Sequence, residues 1–180
     1  IGMSKYANYE IPSSYIRYLC FETSESMFQD ARARQAIAAL VDRQDIINKV
    51  FLGQMQPLYS MVPMGMKWHT DAFKDTLGDG NIELAEILLS ELGYSASKPF
   101  EIELWYTPSH YGDTEVDMAE VLRVQLEKTA FIKVTIKSAE WSTYIDNWDT
   151  KTMPLYLLGW YPDYMDPDNY TAAFAGTAGS

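Results

Sequence analysis

Apolar and polar positions alternate along YIRYLCF (15–21), placing Tyr15, Arg17, Leu19 and Phe21 on one face and Ile16, Tyr18 and Cys20 on the other, which predicts a half-buried strand. Asp30 can cap a helix over 31–41 that buries Ile37, Leu40 and Val41, and Asp42 can cap a second, RQDIINKVFL, which stops near Gly53. Residues 54–70 hold Pro57, Pro63, Gly65 and four methionines without a period, predicting an ordered loop whose methionines pack against the core. Asn81 caps IELAEILLSEL, with the stripe Ala85, Leu88, Leu89 and Leu92 and a left-handed stop at Gly93.

Strand alternation returns in PFEIELWYT (99–107) and FIKVTIKS (131–138), separated by a helix that starts at Asp113 or Thr114 and runs to about Lys128. Ser138 is the expected cap of a further helix with Trp141, Tyr144, Ile145 and Trp148 at i, i+3, i+4 and i+7, both tryptophans facing the core. MPLYLLG (153–159) is apolar throughout, as a central strand covered on both faces requires. Strand, helix, strand, helix, strand implies an α/β fold with a mixed sheet flanked by helices, in which ligands gather at the carboxyl ends of strands. One such end opens into GWYPDYMDPDNY (159–170).

Composition narrows the function. The 180 residues, 47% of them hydrophobic, are enough for one core, so a single unit over 1–180 is expected. A formal charge of −11 would repel a phosphate backbone, which argues against nucleic acid as a partner. No run reaches the roughly 18 apolar residues of a membrane helix. The single Cys20 lies in a strand pattern and reads as a packed, inert thiol. The chain has no initiator-like start and ends soon after its most unusual loop, which points to an excised piece of something longer.

Asp163, Asp166, Asp168 and Asn169 offer oxygen ligands, but their spacing of three then two, with Pro167 between, departs from a calcium loop. The blander role for Asp166 and Asp168 is to accept backbone amides in a turn. Crowded on one loop, the acids do not show the facing pair of a glycoside hydrolase. His69 and His110 lack companions at metal-ligand or catalytic-base spacing and read as surface or loop residues, and GDGN lacks the preceding strand of a phosphate loop. Hence no catalytic residue, metal or cofactor is expected, and the chain does not read as an enzyme. The rings carry more weight: Trp160, Tyr161, Tyr164 and Tyr170 surround Asp163 in a segment too proline-rich for a regular helix or strand, so some should line a cleft. A carboxylate beside rings suits an ammonium group, while the same rings could stack on sugars, and the residues alone leave both open.

FQDARARQAIAALVDRQDII, AEILLSELGY, FEIELWY, IKVTIKSAEWSTYI and LYLLGWYPDYMDPDNY, in that order, resemble the family 5 extracellular solute-binding proteins of ABC importers, which include oligopeptide, dipeptide, nickel and some oligosaccharide binders. The likeness covers about residues 15–175 and implies one lobe, the second, of a type II periplasmic-binding-protein-like fold belonging to a longer two-lobe protein. It further implies capture of extracytoplasmic di- or oligopeptides, a membrane ABC permease as partner, a first lobe elsewhere in the same protein, and a periplasmic or cell-surface location with a signal or lipid anchor upstream. By the family pattern Asp163, three residues after Trp160, would pair with a peptide's free amino terminus and Trp160 would wall the pocket; Tyr161 and Tyr164, rings of the same loop, are the further expected ligand contacts. Glu22 stands where asparagine is common and Met165 where proline is frequent. Oligosaccharide binders carry a similar loop and remain the alternative, and a protein-interaction module is the alternative of another class. Arg32 and Arg34 in RARQA are expected to be solvent-facing or structurally paired.

Overall fold

In the computed structural model, residues 13–24 and 26–175 are described. Strands β1 (Ile16–Phe21), β2 (Phe100–Tyr106), β3 (Ile132–Ser138) and β4 (Leu155–Trp160) form one mixed sheet in the order β1-β4-β2-β3. β2 runs parallel to both β3 and β4, whereas β1 is antiparallel to β4, pairing Ile16 with Trp160. The register of β4 on β2 covers only Leu104↔Leu155 and Trp105↔Tyr156, so the second half of β4 projects beyond the end of β2 with β1 alone beside it.

Alternation along the strands builds two cores. Leu155 and Leu157 of β4, with Leu19, Phe21, Phe100, Ile102 and Leu104, join the larger core under helices α1 (Ser26–Gln29), α2 (Ala31–Leu40), α3 (Arg43–Val50), α5 (Ile82–Glu91) and α6 (Glu115–Leu126). Short helix α4 (Ala72–Leu77) precedes α5. Tyr156 and Leu158 face the opposite side, where they meet Tyr18, Cys20, Trp105 and Tyr144 of helix α7 (Trp141–Asp149). β4 is therefore buried on both faces, which explains its unbroken apolar run. Burial also pushes the Cys20 thiol up, away from a reactive thiolate.

The expected caps at Asp30, Asp42 and Asn81 hold: each side chain accepts a backbone N–H of its own first turn, from Arg32, Asp45 and Leu84 respectively. Gly93 ends α5 with φ +84°, a conformation that costs glycine little. Arg32 pairs with Asp30 at 2.7 Å and Glu91 at 3.3 Å, and Arg34 donates to the Phe28 and Gln29 carbonyls. Loop 54–70 is tied down where Tyr59 donates to Asp79, which also pairs with Arg43.

Several expectations are corrected. Ser138 ends β3 instead of capping a helix; α7 begins at Trp141, with Glu140 in the capping position and no side-chain cap bond. On α7 only Tyr144 is fully buried and Trp148 is 44% exposed, because the small second core is narrower than the stripe. None of the four loop methionines is buried: Met55 is exposed and Met61, Met64 and Met66 are half-buried, as Tyr59 and Val62 take the inner positions. The segment after β4 is not wholly irregular either. Pro167 starts helix α8 (Pro167–Ala175), since a proline in the first turn lacks only an N–H that would have no intrahelical partner.

Candidate functional site

The carboxyl end of β4 carries the loop that the sequence singled out, and Asn169 gives it its shape. Asn169 Oδ1 accepts both the Trp160 indole N–H at 3.0 Å and the Asp163 backbone N–H at 3.2 Å, closing residues 160–163 over the first turn of α8. Asp166 Oδ1 accepts the Asp168 N–H at 3.1 Å, which caps α8, and the Tyr164 hydroxyl donates to Asp168 at 3.2 Å. Asp166, Asp168 and Asn169 are thus used in building the turn. Tyr170 is fully buried and donates to the Ser14 carbonyl at 2.7 Å, so it belongs to the frame.

The four expected ligand residues lie along this turn with different degrees of freedom. Trp160 is half-buried, its ring edge-to-face with Phe174 at 5.7 Å and its N–H already used. Asp163 is exposed, and among the described residues its carboxylate has neither a hydrogen-bond partner nor an ion pair. Tyr161 is 71% exposed and stacks on Tyr15 at 4.2 Å and 15°. Tyr164 is 52% exposed and points its hydroxyl back at Asp168.

The structure adds partners that the sequence reading missed. Because β4 outruns β2, the segment after β2 folds alongside Leu158 and Gly159, bringing His110 and Tyr111 beside Tyr15 and Tyr161. Tyr15, His110, Tyr111, Gly159 and Tyr161 line a concavity of about 530 Å³. A Cβ on Gly159 would lie 2.6 Å from Tyr15 Cε2, so a side chain at 159 would push the Tyr15 ring aside. Against this wall, Arg17 of β1 pairs with Glu115 of α6 at 2.5 Å, donates Nε–H to the Leu158 carbonyl at 3.2 Å and lies 4.0 Å from the Tyr111 ring centre. Glu115 has no side-chain exposure and Arg17 has 11%. Burial pushes the Tyr15 hydroxyl up to about 12 against the opposing pull of Arg17, and Tyr111 is raised for the same leading reason. Both phenols are neutral at pH 7. His110 stacks flat on Trp141 at 3.5 Å; desolvation, then repulsion by Arg17, lowers its pKa from 6.5. One cation inside YIRYLCF was the available signal for the Arg17 pair; nothing local pointed to His110 or Tyr111.

Comparison with known proteins bears on this arrangement. A model of the bacterial extracellular solute-binding proteins, family 5 (middle region), matches residues 2–180. The chain belongs to this family. It is 28% identical over 173 residues to the dipeptide-binding protein of Escherichia coli K12, covering 95% of the chain and 31% of that protein. Against the periplasmic oligopeptide-binding protein OppA of Salmonella typhimurium it is 30% identical over 162 residues, covering 85% of the chain and 29% of the relative. The fold superimposes on the periplasmic murein tripeptide-binding protein MppA in its unliganded open form with a TM-score of 0.82 at 26% identity, covering 95% of this chain and 33% of that one. The family member described here thus spans about a third of the length of these relatives. These relatives are named as binding proteins, not enzymes, and two of the three as periplasmic.

Proposed function

We propose that this chain is one lobe, the second, of a two-lobe solute-binding protein that captures di- or oligopeptides outside the cytoplasm and presents them to a membrane ABC permease. The observation that carries this reading is Asp163: an exposed carboxylate, unpaired among the described residues, whose backbone is fixed by Asn169 at the carboxyl end of a central strand, among exposed rings. The three relatives named for dipeptide, oligopeptide and tripeptide binding support a peptide as ligand.

Asp163 receives the ammonium group at the peptide's amino terminus, Trp160 walls that end, and Tyr161 and Tyr164 contact the neighbouring ligand atoms. Closure of a first lobe over this face excludes water and strengthens the charge pair relative to an open surface. No bond in the ligand is made or broken. In the full-length protein, Asp163→Asn should lower affinity for peptides with a free amino terminus by about 1 to 3 kcal/mol while N-acetylated peptides are almost unaffected. Equal losses for both would remove the ammonium role.

A second reading, an oligosaccharide, draws on the exposed stack of Tyr161 on Tyr15, a surface on which a sugar face could also lie. Calorimetry showing oligosaccharides bound and peptides inert would favour it, and Trp160→Ala would then be the more damaging change.

A further inference from the structure

We infer that the concavity lined by Tyr15, His110, Tyr111, Gly159 and Tyr161 is a side-chain subsite for an uncharged aromatic residue of the bound peptide. This deepens the peptide reading above and rests on it. At about 530 Å³ the space falls within the roughly 300 to 1,000 Å³ of small-ligand pockets.

Its walls are ring faces. Tyr161 lies against Tyr15 on one face yet remains 71% exposed, so a ligand ring can extend the stack. Tyr15 in turn lies 6.5 Å from Tyr111 at 27°, and His110 meets Tyr111 edge-on at 4.6 Å. Gly159 leaves the floor open for Tyr15, because any side chain there would displace that ring.

Charge decides which ring-bearing side chains fit. None of the five lining residues is a carboxylate, lysine or arginine. The nearby cation, Arg17, is committed three times over, to Glu115, to the Leu158 carbonyl and to the Tyr111 face, and its charge is cancelled by Glu115. An acidic or basic ligand side chain entering here would shed water without gaining an opposite charge, which is costly. An aromatic side chain loses little water and gains ring contacts.

The subsite also lies within reach of the amino-terminal anchor. Tyr161 and Asp163 are two residues apart, at most about 7 Å along the chain, so a peptide held at Asp163 presents its first or second side chain to Tyr161.

The test is calorimetry on the full-length protein with two tripeptide series, alanine elsewhere and Ala, Phe, Glu or Lys at the first or the second place. At one place Phe should bind at least about fivefold tighter than Ala, the effect of one good aromatic contact, and Glu and Lys no tighter than Ala. Tyr161→Ala should bring the Phe-to-Ala ratio below about twofold, and Tyr161→Phe should keep it, since the ring face and not the hydroxyl makes the contact. Tyr161 is largely exposed, so neither change endangers folding. Binding of trialanine without a Phe preference, a preference for Glu or Lys, or an unchanged ratio in Tyr161→Ala would overturn the aromatic subsite alone. Failure of every peptide to bind the wild type would overturn it together with the peptide reading.

Discussion

Replacing Arg17 by methionine should destabilise this chain far more than loss of a surface arginine would. Arg17 and Glu115 meet at 2.5 Å, with Glu115 wholly enclosed and Arg17 nearly so. Among the described residues the second Glu115 oxygen, Oε1, has no hydrogen-bond partner, so Arg17 is what compensates the carboxylate. Removing one member of a buried pair strands the other charge, at about 3 to 5 kcal/mol, compared with about 0 to 1 kcal/mol for an exposed pair. Loss of the Arg17 contact with the Tyr111 ring and of the bond to the Leu158 carbonyl falls within that range. For a unit of this size each kcal/mol lowers Tm by about 2 to 4 °C, so a fall of roughly 6 to 20 °C is expected. Urea denaturation of the wild type, Arg17→Met, Glu115→Leu and the double variant forms the assay. The double variant should lose at most about 2 kcal/mol, because apolar groups of similar volume can replace a buried pair at little cost. Single losses below about 1 kcal/mol, or a double loss equal to the sum of the singles, would refute the reasoning.

Two further outcomes follow from the same region. Asn169→Ala removes the shared acceptor of the Trp160 indole and the Asp163 amide and should cost about 1 to 3 kcal/mol, with faster hydrogen exchange at the Asp163 amide; unchanged exchange there would show that the turn is held by other means. His110 remains exposed yet is partly desolvated where it stacks on Trp141, and with the repulsion of Arg17 it should titrate below 6.5 by NMR and move back toward 6.5 in Trp141→Ala. The folded chain then binds fewer protons at this site than the unfolded one, so its contribution to stability is complete above about pH 6.5 and declines as pH falls toward the folded-state value. A midpoint at or above 6.5 would contradict the stacked, partly desolvated ring.

Much of this fold could be read locally because its devices are local. Asp30, Asp42 and Asn81 cap helices through amides two or three residues away, and β4 announces itself by six residues with no solvent-facing alternation. Pro167 misled for a physical reason: a proline breaks a helix interior but opens a first turn, and nothing in DYMDPDNY distinguishes the two until Asp166 caps Asp168. Helical spacing puts Trp148 on the core stripe and residue type puts the loop methionines inside, yet the space there is already filled by Tyr144, Tyr59 and Val62.

By itself, the sequence determined the order of the four strands and of the helices α2, α3, α5, α6 and α7, the family, and the acidic, ring-rich character of the loop after β4, because periodicity, capping and composition are properties of neighbouring residues. Only the tertiary structure decided which groups share a wall. Tyr15, His110 and Tyr111 join Tyr161, and Arg17 finds Glu115 98 residues away, because β4 runs past β2 beside the antiparallel β1. That register is set by packing between distant segments, and no window of local sequence contains it.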